Sequence, residues 1–359
     1  MNSNRSGASG LRWLILSACI FLSGVFSLAN AASGAPSGTP RFVFISHAPD
    51  SDKWWNIIKN GLKHASEDFS VEVDYKNPVT GDLKDMAKLI DESSAQNYQG
   101  MIVTLADYEV LKEPLQRVVK QNKMPVITVN SGTQKQSETI GAIMHIGQPE
   151  LFAGEMAGEK ARRANIKSFV CLNHNASNAS SHERCKGFAN GLGSNAKAVT
   201  LELEGDQAVM QAKIAQYLVE HPETEAMLAL GSTSAHPALE ALKALKSGTS
   251  PYFVTFDLSS QISSGIKSGA IAFAIDQQPY LQAYLPVALL VEYHKLPGAN
   301  LEMLNAVKVG AYVNPKLSER MAVYDLNLLP SKGRHINSGP AFVTKINISK
   351  VDQYSGMYR

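Results

Sequence analysis

The sequence predicts an α/β fold in two lobes, each a parallel sheet with helices on both faces. Three observations predict it. Short apolar runs, partly β-branched, alternate with amphipathic helical stretches from about residue 42 to about residue 296. The alternation runs through two successive series of similar build. And 359 residues are more than one compact core takes up.

At the start of the chain, Arg5 and Arg12 precede an apolar run over 13–28, and Ala29-Asn30-Ala31 supplies small residues at both cleavage-defining positions. Residues 1–31 therefore read as a secretory signal peptide cleaved after Ala31. Ser17, Ser23 and Gly24 interrupt the run, which argues against a membrane anchor. Losing two arginines from 34 basic residues leaves 32, matching the 32 acidic ones. A chain of zero net charge has no basic field for nucleic acid. Cys19 leaves with the signal. Cys171 and Cys185 remain, an even number in an exported chain, which favours one disulfide over two buried thiols.

Residues 32–40 form a flexible leader. Strands are then predicted over 42–45, 71–75, 101–105, 125–129 and 140–146, with helices over 54–69, 82–97 and 109–121. In the first helix, Trp54, Ile57, Ile58, Leu62 and Ala65 recur on one face. The second series places helices over 150–163, 181–191, 207–219 and 237–245, and strands over 169–172, 198–203, 226–230, 252–256 and 270–275. A short helix separates the last two strands and a longer one follows them. Beyond 296 the pattern weakens; one more strand is predicted over 306–313, and the tail 337–347 reads as irregular.

In open parallel sheets, ligands lie beyond the carboxyl ends of the strands. At those ends stand His47, Asp52, Trp54 and Trp55; Asp107; Asn130 and Ser131; Asn173, His174 and Asn175, with Arg184 on the next helix; Asp206; Ser232; Asp257; and Asp276 with Gln277. Carboxylates, amides and an arginine fork bind hydroxyls, and indole rings offer apolar faces to sugar C–H groups. Asp and Asn at strand ends also cap helices. Adjacent helical residues point about 100° apart, so one of the two tryptophans can be ordinary core.

The segments DKWWNIIKNGLKHAS, YQGMIVTLAD, MPVITVNSG, HIGQPELFAGEMAG, SHERCKGF, VTFDLSS and AIDQQPYLQAYL carry a resemblance. In this order, over nearly the whole chain after the signal, they resemble the periplasmic sugar-binding proteins of ABC transporters, of the ribose/galactose-binding type I class. The resemblance implies two Rossmann-like lobes joined by a three-crossover hinge near Gly147, near Gln277 and near residue 310. Residues 40–147 plus 278–309 would form the N-terminal lobe, and 148–277 plus 310–359 the C-terminal lobe and tail. It also implies a periplasmic monomer that clamps a sugar or sugar-like molecule in the interlobe cleft. The implied partner is the membrane permease of an ABC transporter; the alternative is a sensor kinase or chemoreceptor.

Carried over by position, the family's stacking pair falls on Trp54 and Trp55, its hinge-side aspartate on Asn130 and the following arginine on Ser131. The second-lobe arginine falls on Arg184, the strand-end aspartate on Asp257 and the crossover glutamine on Gln277. Asp107 and Asp206 complete the expected ligand set. Asn130-Ser131 in place of an Asp-Arg pair, and Gly231 where asparagine is usual, imply a ligand other than ribose or glucose.

Catalytic signatures are missing from the sequence. It has no Walker A run, no HExxH and no GxSxG. Gly191, Gly193 and Ala196 fit a dinucleotide fingerprint but follow a helix instead of opening one. The nine histidines lack metal-ligand spacing. The expectation is a binding protein without cofactor or metal, not an enzyme.

Overall fold

Twelve strands fall into two six-stranded sheets in the computed structural model, which describes residues 38–245, 250–295 and 314–359. The expected signal peptide and the strand expected over 306–313 lie outside the described residues. The first sheet contains β1 (Arg41–Ile45), β2 (Glu72–Lys76), β3 (Gly100–Thr104), β4 (Val126–Val129), β5 (Met144–Gly147) and the late strand β11 (His335–Asn337). The second contains β6 (Ser168–Asn173), β7 (Lys197–Glu202), β8 (Ala226–Ala229), β9 (Tyr252–Phe256), β10 (Phe273–Asp276) and β12 (Ala341–Thr344). The orders are β11-β5-β4-β3-β1-β2 and β12-β10-β9-β8-β6-β7, so the two sheets share one topology. Every pairing is parallel except β12 on β10.

Helices cover both faces of each sheet. In the first lobe these are α1 (Asn56–Phe69), α2 (Leu83–Ser94), α3 (Tyr108–Lys120) and α4 (Gln134–Ile140). The second series supplies α5 (Glu150–Arg163), α6 (Ala179–Leu192), α7 (Gln207–Glu220), α8 (Ser232–Ala244) and α9 (Ser260–Ser268). α10 (Pro279–Lys295), α11 (Pro315–Tyr324) and α12 (Ile348–Val351) follow. One core packs α1 and α10 on the first sheet and a second packs α2 and α3 on its other face. The second sheet repeats this, with α7, α8 and α9 on one side and α5 and α6 on the other. β3, β4 and β8 are buried along their whole length, as strands covered on both faces must be.

Four glycines set the closest approach in the fold. A Cβ on Gly154, Gly158, Gly187 or Gly191 would lie within 2.1–2.5 Å of a backbone oxygen of the facing helix. α5 and α6 therefore touch backbone to backbone, which holds Glu150 at the start of α5 beside Arg184 of α6.

The structure departs from the sequence reading in four places. The strand expected over 140–146 is the end of α4 followed by β5. α4 begins at a Thr133–Gln136 capping box and stops at Gly141, which takes φ 89°. The helix expected to open at Pro237 begins at Ser232, and the proline sits inside it. The tail expected to be irregular holds β12, and β11 ends at its first residue; three- and four-residue strands are too short to show a period. Finally, a crossover runs through 338–340, between β11 and β12, while the one expected near residue 310 lies outside the described residues. Leu317, Tyr324, Leu326 and Ile336 pack into the first lobe's core, although 310–359 was expected in the second lobe.

Candidate ligand-binding cleft

In each sheet the strand order reverses beside the first strand of its series, at β1/β3 and β6/β8. That switch point opens a crevice at the carboxyl ends. The two crevices face each other. The cavity between them is lined by His47, Asp52, Trp54, Trp55, Asn130 and Ser131 from the first lobe. The second lobe contributes His174, Asn175, Asn178, Ser180, Ser181, Arg184, Ser232, Thr233 and Asp257, and Gln277 stands at the crossover. Toward solvent it continues into a wider cleft that Asp206, His236 and Ser259 also line.

Asn130 and Asp257 occupy equivalent positions, after β4 and after its counterpart β9. Both take left-handed backbone, φ 64° and 68°, and Gln278 beside Gln277 does too, at φ 52°. Asn and Asp tolerate this region better than other side chains, and such strain gathers at sites where geometry matters. Gln277 links the pair. Its Nε2 donates to Asp257 Oδ1 at 2.6 Å, and its Oε1 accepts from Asn130 Nδ2 at 3.1 Å. Asn130 also donates to Gln282 Oε1 at 3.0 Å and accepts from Ser131 Oγ at 2.9 Å. Asn178 Nδ2 donates directly across the cleft to Ser131 Oγ at 3.4 Å.

Arg184 is tied down. Nε and one terminal nitrogen donate to both oxygens of Glu150, each at 2.7 Å; the other donates to the Leu230 carbonyl at 2.6 Å. The guanidinium lies over the Phe256 ring, 4.4 Å from its centre. Asp257 has no such full partner. Burial pushes its carboxyl up to about 6, with Arg184 and the Gln277 hydrogen bond pulling the other way. Its Oδ2 lies 3.0 Å from where a Cβ on Gly231 would stand, and His174 Cε1 lies 3.1 Å from the same point. His174 thus occupies the space that the usual asparagine at position 231 would need.

The two tryptophans differ. Trp55 is 4% exposed and packs edge-on against His47. Trp54 is only partly buried, and its Nε1 has no partner among the described residues. His174 Nδ1 is likewise buried without one. Burial lowers His47 and His174 to about 4, so both are neutral at pH 7 and each offers one donor and one acceptor. His47 Nδ1 already shares a 2.9 Å hydrogen bond with Thr104 Oγ1.

Of the predicted ligand residues, Trp54, Trp55, Asn130, Ser131, Arg184, Asp257 and Gln277 converge on the cavity. Asp107 does not: its carboxylate caps α3, accepting from Glu109 and Val110 N–H. Asp206 caps α7 through Val209 N–H and reaches only the outer cleft. Glu150, Asn178, Ser180 and Ser181 escaped the reading because they cap or open the helices α5 and α6 and do not directly follow a strand. Among the described residues no group of three or more His, Cys, Asp or Glu could hold a metal. Cys171 and Cys185 are joined, with 6.0 Å between their Cα atoms.

Fold and cleft define a two-lobed protein whose polar groups from both lobes close on one small cavity. A family model described as a periplasmic binding protein domain matches residues 42–297. The chain belongs to that family. The xylose/arabinose-binding protein XylF of Sulfolobus acidocaldarius is 21% identical over 271 residues, 71% of this chain and 66% of that protein. The match thus spans just under two thirds of the relative's length. A carbohydrate transporter from Acidothermus cellulolyticus 11B, solved in complex with myo-inositol, is 25% identical with a TM-score of 0.71. That comparison covers 89% of this chain and all of the other. A periplasmic sugar-binding protein from Legionella pneumophila shares the fold at 23% identity and a TM-score of 0.67, over 74% of this chain and 99% of its own.

Proposed function

We propose that the protein is an exported solute-binding protein that encloses a neutral sugar or cyclic polyol between its lobes and passes it to the membrane permease of an ABC transporter. The observation that carries this reading is the relay Asn130–Gln277–Asp257, which runs from one lobe through the crossover to the other. It leaves Asp257 Oδ2 as a buried acceptor toward the cavity. Arg184 is neutralised by Glu150, so the site offers no spare cation for an acidic ligand. The Trp54 ring supplies an apolar face, and Asn175, Asn178, Ser232 and neutral His174 supply further hydrogen-bonding groups. In this role Asp257 and Gln277 read hydroxyls, Asn130 and Ser131 fix the first-lobe side, and Arg184 holds the second-lobe wall in place.

Nothing in this reading requires turnover. The xylose/arabinose-binding relative and the myo-inositol complex indicate which compounds to try first. The test is native mass spectrometry of gently purified protein, followed by calorimetric titration with myo-inositol, D-xylose and L-arabinose. A single bound polyol, unchanged in mass after long incubation, supports the reading. Conversion of the compound, or a bound anion instead, contradicts it.

A further inference from the structure

Beyond β12 the chain crosses between the lobes once more. α12 buries Ile348 and Val351 in the second lobe's core, whereas Tyr354 and Tyr358 pack against the first lobe's core. Three residue steps separate Val351 from Tyr354, which limits the two anchors to about 11 Å even when fully extended.

We propose that residues 352–359 form a strap that limits how far the lobes open. On the second-lobe side, Asp352 pairs with Lys267 and the Ser355 hydroxyl meets that of Ser263 at 2.9 Å, both partners on α9. On the first-lobe side, Asn60 of α1 donates to the Met357 carbonyl at 2.9 Å. Tyr358 stacks on Tyr324 at 4.4 Å and on His64 at 5.5 Å. Arg359, 3% exposed, closes the strap: its Nε donates to Asp276 at the end of β10 at 2.7 Å, and a terminal nitrogen donates to the carbonyls of Tyr324 and Asp325.

The strap borders the ligand path as well as the lobes. Ser355 and Gly356 line the outer cleft opposite Trp54 and Asp52. A swing about the crossovers at 147–149, 277–278 and 338–340 that moved α9 away from α1 would have to pull the strap with it. The anchors are unequal. The Lys267–Asp352 pair is exposed and, with one serine contact, holds the α9 side. Stacked rings and the Arg359 bonds to the Tyr324 and Asp325 carbonyls hold the other, while Arg359 also reaches back to Asp276 of the second sheet. The α9 ties therefore yield first, and the covalent span from Val351 to Tyr354 sets the limit.

The test needs no ligand. Small-angle scattering is recorded for the unliganded full chain, for the chain lacking residues 352–359, and for a Tyr358→Ala/Arg359→Gln double variant. Removing the strap, or the ring stack and arginine that fasten its end, raises the radius of gyration by on the order of 0.5–1 Å over the roughly 20 Å of a chain this size. A Ser263→Cys/Ser355→Cys variant does the reverse: oxidised, it is more compact than the full chain, and reduction restores the difference, with equally reduced full chain as control. Equal radii for the full chain and both folded strap variants overturn the proposal. Where circular dichroism shows those variants unfolded, equal radii for the oxidised and reduced cysteine pair overturn it.

Discussion

Gln277 donates to Asp257 at 2.6 Å while accepting from Asn130 at 3.1 Å, so one side chain at a crossover couples both lobes to the floor of the cleft. Replacing it with alanine leaves Asp257 buried with one partner fewer. Gln277→Ala should lower ligand affinity by about 1–3 kcal/mol, the cost of stranding a buried polar group. Calorimetry checks this. Gln277→Glu should cost more, because it sets a second carboxylate beside Asp257.

The tryptophans should separate by readout. Trp54→Ala removes a partly exposed ring and should weaken binding by about 1–3 kcal/mol with little change in melting temperature. Trp55→Ala empties a buried position and should cost about 3–5 kcal/mol of stability. Denaturant unfolding and titration on both variants decide; a Trp54 variant that binds as tightly as the parent removes the stacking role.

Glu150 and Arg184 form a bidentate ion pair whose side chains are 2% and 10% exposed. Glu150→Gln strands the guanidinium's charge and should destabilise by about 3–5 kcal/mol, whereas replacing both partners with apolar residues costs less. A double-mutant cycle by urea unfolding measures the difference. Small separate losses that add without coupling would contradict the pairing.

The Cys171–Cys185 bond ties β6 to α6 one residue from Arg184. Its loop is short, so Cys171→Ser/Cys185→Ser should lose about 2–3 kcal/mol. Thiol titration of the denatured, unreduced protein should find no thiol from this pair.

Stability should fall in acid for a stated reason. Burial lowers His145 to about 3, with the neighbouring His335 adding to it, and lowers His47 and His174 to about 4. The unfolded chain binds these protons near pH 6.5, so their contribution is present above 6.5 and lost as pH falls toward 4. Asp257 works in the opposite sense. Its raised value, shared in direction by Asp52 and Glu183, makes folding relatively more favourable as pH drops from about 6 toward 4, against the lowered His47, His64, His145, His174 and His236. His145→Asn should reduce the loss of stability between pH 7 and pH 4 by about 2–3 kcal/mol, because each tenfold difference in proton affinity between folded and unfolded chain is worth roughly 1.4 kcal/mol. Melting curves across that range test it; an unchanged pH profile would sink the assignment.

Much of the fold is legible in the sequence because β3, β4, β8 and β9 are short, mostly apolar and separated by amphipathic helices. Asp257, Gln277 and Asn130 are legible as site candidates because polar residues following such strands face the crevice. The same rule misplaces Asp107 and Asp206, whose carboxylates satisfy helix N–H groups instead; capping and ligand binding use the same residue types at the same spots. Glu150 gives no signal of its own, since its role follows from the glycine contact between α5 and α6, which no local pattern reveals. β11 and β12 are invisible for a related reason: they are strands only because β5 and β10 stand beside them.

In the proposed function, one small polyol draws both lobes closed onto Asp257. The most direct measurement combines calorimetry and small-angle scattering on unliganded protein titrated with the compound that native mass spectrometry identifies. One molecule should bind per chain, the radius of gyration should fall on binding, and an Asp257→Asn variant should bind more weakly by about 2–4 kcal/mol, the loss of a charged acceptor for a buried hydroxyl. Binding with an unchanged radius, or an Asp257→Asn variant that binds as tightly as the parent, would contradict it.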